Sequence, residues 1–162
     1  LPVADVVARY ERIVPGAPAD VYDRVLALTF QQSFLVRTLL MLRGLQLVPV
    51  AEFTATAFTT LDEARGESIV WGMIAQPWRW SGGVRRVTPA EFAAFNERGF
   101  ARITWDFTFS PVATATHVAT ETRVLCTDAI SRARFKVYWA LVGPFSGLIR
   151  HEMLRSLGKF RR

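Results

Sequence analysis

The sequence predicts an α+β fold in which a curved antiparallel sheet is wrapped around one long C-terminal helix. Three observations predict it. Strand-like alternation dominates residues 100–126, and the connections there are too short for parallel crossovers. The longest helical pattern comes last, directly after "TETRVLCTD" at 120–128. An antiparallel sheet needs one face covered, and that last helix is the only long cover the chain offers.

Residues 5–14, "DVVARYERIV", alternate with β-branched side chains and read as the first strand. "PGAPAD" breaks it. Pro18 at a first helical position and Asp20 in the first turn predict a helix over 18–28. Ser33 caps a second helix to about residue 45, ended by Gly44 and Pro49. It is apolar nearly all round, as in a helix that is buried or meets a partner or membrane. Residues 53–62 and 67–74 then alternate around "DEARGE", a hairpin signal with Gly66 in the turn. "QPWRWSGGVRRV" (76–87) suggests one ragged strand pair. "TPAE" (88–91) is a capping box with proline at the first helical position, so a short helix over 89–97 follows and ends by Gly99.

Two long strands come next, 100–109 and 115–126, joined by "SPVAT". Ile103, Trp105, Phe107 and Phe109 share one face, and Asp106 faces the other way from Trp105. The last helix runs over 129–160, roughly 45 Å at 1.5 Å per residue. Phe135, Tyr138, Trp139, Val142, Phe145, Ile149, Met153, Leu157 and Phe160 form one stripe. Pro144 is expected to bend it, and the small residues Gly143, Ser146 and Gly147 let a neighbour approach closely.

Composition limits the function classes. A chain of 162 residues reads as a single domain, 1–162, able to bury its own core. The lone Cys126 has no cysteine partner for a disulfide or a thiolate metal site, which fits a reducing, cytoplasmic setting. The net charge of +6 is almost all arginine and is spread along the chain, unlike the block or stripe of a nucleic-acid surface, so no nucleic-acid partner is expected. No apolar run reaches membrane-spanning length: 137–149 is interrupted by Gly143-Pro144, and 33–47 by Arg37 and Arg43. The chain opens on Leu1 rather than Met, which points to a trimmed or processed start.

With these elements in order, "TETRVLCTDAISRARFKVYWALVGPFSGLIRHEML" (120–154), "GFARITWDFTF" and "ESIVWGMIAQPW" are similar to a bacterial subgroup of the START/SRPBCC superfamily. That superfamily has the helix-grip fold and includes pollen-allergen-like proteins, lipid-transfer domains and polyketide cyclases. The resemblance covers nearly the whole chain. It implies a cavity between sheet and last helix for an apolar small molecule or lipid, with no cofactor. Members differ in whether they bind, transfer or transform that molecule, so the fold leaves the activity open.

The candidate lining residues are Trp71, Met73, Trp105, Phe107, Tyr138, Phe145 and Ile149, with the Tyr138 hydroxyl as a polar anchor. Each is equally readable as ordinary core. Glu121 and His117 are the candidate polar cavity groups, and Glu121 with Arg123 alternatively forms a solvated pair on the outer face. No catalytic constellation is legible. His117 and His151 lack metal-ligand spacing, "GPFSG" is not a nucleophile elbow, "SGG" lacks the lysine of a phosphate loop, and Cys126 reads as a small core residue.

The leading expectation is therefore binding, transport or sequestration of a hydrophobic small molecule by a monomer or homodimer. One alternative is a cyclase-, aromatase- or dehydratase-like enzyme, drawing on Glu121, His117 or Tyr138. The other is a peripheral membrane or protein-interaction module built on the apolar helix at 33–45 and the basic tail.

Overall fold

A computed structural model describes residues 1–28 and 50–158 of the chain. In order these form β1 (Val6–Pro15), α1 (Pro18–Ala27), α2 (Val50–Ala57), β2 (Thr59–Ala64), β3 (Ser68–Ala75), α3 (Pro89–Ala94), β4 (Ala101–Val112), β5 (Ala115–Cys126) and α4 (Ala129–Leu157). The expected helix at 33–45 lies outside the described residues. The strands make a five-stranded sheet in the order β1-β5-β4-β3-β2, antiparallel throughout. The α+β class, the antiparallel sheet and the long C-terminal helix are thus as expected. No helix among the described residues is long and apolar enough to cross a membrane.

Register sets the two faces of the sheet. Ala8, Thr122, Trp105 and Trp71 form one cross-strand row, and Tyr10, Thr120, Phe107 and Ile69 form the next. These rows face α4. Alternation sends Arg9, Glu121, Asp106 and Val70 to the opposite, outer face. The main core lies on the α4 side, where Val14, Val21, Tyr22, Val25 and Phe109 pack with Met153, Leu154 and Leu157. The short helix α3 covers part of the outer face, where Phe92 packs on Ile74 and Phe100. Gly72 permits this approach, since a β-carbon there would stand 2.7 Å from the Leu61 side chain and 3.0 Å from Phe92.

Three expectations are corrected. The sequence predicts a strand over 53–62, yet 50–57 are helical and only Thr59 onward is strand. The Thr-Ala alternation mimics a strand, but Ala51, Ala55 and Ala57 are strong helix formers. The turn closes through Phe58 N–H to the Thr54 carbonyl at 2.8 Å. Residues 76–87, expected to pair as strands, instead coil. Arg79 N–H donates to Gln76 O and Gly82 N–H to Arg79 O, and Gly82 and Gly83 take positive φ, leaving one bridge between Ile74 and Arg85. Finally, α3 stops at Ala94 rather than 97, where Phe95 turns extended and packs its ring 5.6 Å from Phe100. Its capping box forms as the sequence predicts, with the Glu91 amide donating to Thr88 Oγ1 and the Thr88 amide to Glu91 Oε2.

The long helix is fastened at both ends. At its start, Asp128 accepts from the amides of Ile130 and Ser131 at 2.9 Å each and from the Gly99 amide at 2.6 Å. A hydrogen bond from the Ser131 hydroxyl, and then these amide bonds, hold its carboxyl well below the usual carboxylate range. Two turns on, Phe135 is buried against Ala101, Ile103, Val124 and Cys126. At the far end, Arg24 of α1 donates to the Leu157 carbonyl at 3.0 Å. Pro144 lies within the helix, which runs unbroken from Ala129 to Leu157.

Candidate ligand site between the sheet and the long helix

Between these fastenings α4 is loosely covered. Phe135 is 1% exposed and Met153, Leu154 and Leu157 are buried. From Lys136 to Ser146 no residue is fully buried. Tyr138, Trp139, Val142 and Ile149 are half-buried, as is Met73 on the facing strand. The apolar stripe of α4 is thus only half-covered along its middle.

The sheet carries a run of aromatic rings on its α4 side, in the core cluster with Met153, Leu154 and Leu157. The rings of Trp71 and Trp105 lie 5.2 Å apart, those of Trp105 and Phe107 5.5 Å, and Phe58 meets Trp105 at 6.1 Å. Trp105 is fixed by its indole N–H, which donates to Thr120 Oγ1 at 2.9 Å; that hydroxyl donates on to the Asp106 carbonyl at 2.8 Å. Trp78 packs beside Met73, Tyr138 and Trp139, and its buried indole N–H has no acceptor among the described residues.

Arg150 is the charged side chain that α4 inserts against these rings. Its guanidinium sits 3.9 Å from the centre of the Trp105 ring and donates to Thr122 Oγ1 at 3.2 Å. Removal from water pulls its pKa down to about 9, against smaller opposing effects of Tyr10 and Asp106. Among the described residues no carboxylate forms an ion pair with it. Nearby, the Tyr10 ring meets His151 edge-on at 5.5 Å, and its hydroxyl lies against Gly147.

The structure brings Trp71, Trp105 and Phe107 together on the sheet and places Met73, Tyr138 and Ile149 beside the half-covered stretch. Trp71, Trp105 and Phe107 are all buried and belong to the main core. Phe145 departs from expectation, at 46% exposed and outside the core clusters, because it falls toward the free side of α4. Glu121 and His117 are corrected as cavity groups. Both alternate with inward residues, Thr120 and Val118, and so face outward. Glu121 pairs there with Arg123 and Arg9, and His117 lies 3.5 Å from Glu11.

On that outer face Asp106 and Glu121 stand directly opposite each other across β4 and β5. They line an open groove of about 370 Å³ with Arg9, Arg123 and Ser68. Burial, and then the charge of Glu121, push the Asp106 carboxyl up to about 6. Cys126 is a buried core thiol, pushed up to about 12 chiefly by burial. Among the described residues no cluster of His, Cys, Asp and Glu is arranged to hold a metal ion.

Sequence reasoning missed Arg150. The signal was there: Arg150 stands three residues before Met153 and seven before Leu157, on the buried arc of the helix. An arginine at an inward position is the mark of a buried polar role.

The chain matches no protein-family model and no curated protein. The Thermus thermophilus protein TTHA0849, known from a crystal structure, aligns over 94% of this chain and 91% of its own at 13% identity. The TM-score is 0.29, too low to carry any argument about fold or function.

Proposed function

We propose that this chain is a helix-grip protein of the START/SRPBCC kind that binds an apolar small molecule or lipid between its sheet and α4. One observation supports the reading: α4 is packed tightly at both ends and half-covered between Lys136 and Ser146, where Tyr138 and Trp139 meet the half-buried Met73 and Trp78. Burying that apolar surface under a ligand is favourable by about 25 cal/mol per Å². The unmatched Trp78 indole N–H and the Arg150 guanidinium supply the few polar groups such pockets use for orientation. The enzymatic alternative loses two of its named groups, since Glu121 and His117 face outward.

Native mass spectrometry of gently purified protein tests the reading, with intrinsic fluorescence as a second readout. A retained apolar molecule is expected, and adding it back to stripped protein changes tryptophan emission through the half-buried Trp78 and Trp139. A chain that retains nothing, and whose emission and melting temperature ignore a total lipid extract, is not a binder of this kind.

A second reading rests on a different surface. Val137 and Leu141, each 68% exposed, and Leu148 lie on the free side of α4. We propose that this stripe is a contact face for a membrane or a protein. Co-sedimentation with anionic vesicles at low salt tests the membrane form, and Leu141→Glu should abolish retention.

A further inference from the structure

We propose that the ligand is a carboxylate-bearing amphiphile and that Arg150 is its counter-ion. This rests on the cavity reading above and names the ligand's chemistry. Arg150 is half-buried, and a guanidinium held against an aromatic plane and partly out of water without an anion is one that natural proteins pair or use. Here one face of the guanidinium is stacked on Trp105, and one of its nitrogens reaches only a neutral hydroxyl, Thr122 Oγ1. Its remaining N–H donors have no partner among the described residues. The Tyr10 hydroxyl, whose ring packs on His151, the residue after Arg150, adds a donor of the same polarity, and its oxygen makes no hydrogen bond among the described residues.

A single cation held by an aromatic plane matches a single planar anion, which the guanidinium fork grips through parallel N–H···O bonds. A carboxylate has that shape and charge, and the rest of such a molecule would lie along Met73, Trp78 and the half-covered stretch of α4. Nothing in this arrangement requires a reaction. It is a recognition device: the apolar surface accepts many bodies, and Arg150 selects those with an acid at one end.

The test compares matched probes: dodecanoate against dodecan-1-ol, and 2-naphthylacetate against its neutral amide, each titrated by calorimetry. The wild type is expected to bind an acid about tenfold or more tighter than its neutral partner, as charged hydrogen bonds allow. Arg150→Met should abolish the preference, bringing each acid to the affinity of its neutral partner. Arg150→Lys should keep part of the preference, since the charge remains and the fork is lost. The unliganded Arg150→Met protein should melt no lower than wild type. Equal wild-type affinities within both pairs, or a preference that survives in Arg150→Met, overturns the counter-ion role and leaves the binding reading intact. A fall in melting temperature with no change in preference marks Arg150 as a structural clamp and also overturns it. Failure of all four probes to bind removes the cavity reading and this inference with it.

Discussion

The Tyr10 hydroxyl occupies the space a side chain at Gly147 would need: a β-carbon there would stand 2.7 Å from the oxygen. Gly147 therefore sets how closely β1 and the middle of α4 approach. Two effects compete on Gly147→Ala. Alanine favours the helix by about 0.8–1 kcal/mol, while the clash displaces Tyr10 from its edge contact with His151. The expected outcome is little net gain in the wild type and a gain of about 1 kcal/mol in a Tyr10→Phe background. A double-mutant cycle by urea unfolding measures the coupling, and additivity of the two changes would show that the close approach is relaxed at no cost.

Asp128 joins the start of α4 to β4 through the Gly99 amide as well as capping its own helix. Its carboxyl is held below its unfolded value, so the stability it contributes is present above about pH 4 and is lost as pH falls. Asp128→Ala should lower the melting temperature by roughly 2–4 °C at pH 7, by loss of a cap. The gap between variant and wild type should narrow as pH drops below about 4. A gap independent of pH would assign the effect to packing instead.

Asp106 has the opposite sign. Its folded pKa of about 6 lies above the ordinary 3.8, so the folded state holds a proton that the unfolded state releases. The associated stability is full below about pH 4 and is lost as pH rises through 6. Asp106→Asn should therefore stabilise the protein at pH 7–8 by on the order of 1 kcal/mol, discounted because the groove is open to water. At about pH 4 the gain should vanish. Chemical denaturation at the two pH values checks both halves, and a gain of equal size at the acidic one would exclude ionisation as its cause.

The readings that held and those that failed share a physical reason. Residues 101–109 alternate apolar and polar letters cleanly, so the inward set Ile103, Trp105, Phe107 and Phe109 was legible, as was the outward turn of Asp106. In β5 the inward row itself contains Thr116, Thr120 and Thr122, so polarity does not distinguish the faces and Glu121 was left open. Its facing follows only from pairing with β4. Gly147 was legible as a small residue permitting close approach; that Tyr10 makes the approach was not, since β1 and α4 lie at opposite ends of the chain. Arg150 was missed because a stripe drawn from apolar letters alone passes over the charge on its own line.

The last prediction concerns Pro144. A proline within a helix removes one backbone bond and leaves the carbonyl four residues earlier, here that of Ala140, without its donor. Pro144 and Ala140 are both exposed, so that carbonyl meets water rather than the core. Pro144→Ala therefore restores a helical bond on the free side of α4 without disturbing Phe135, Met153 or Leu157. It should raise stability, by up to about 3 kcal/mol on the helix-propensity scale. A stabilising replacement at a position that tolerates it asks why proline is there. If Pro144 shapes the half-covered stretch from Lys136 to Ser146, the variant should melt higher and bind less, the trade expected when a site is kept at the cost of stability. Melting temperature and retained ligand, measured on the same preparation, decide it. Higher stability with unchanged ligand content would remove Pro144 from the account of binding, and lower stability would mean the helix packs around the proline after all.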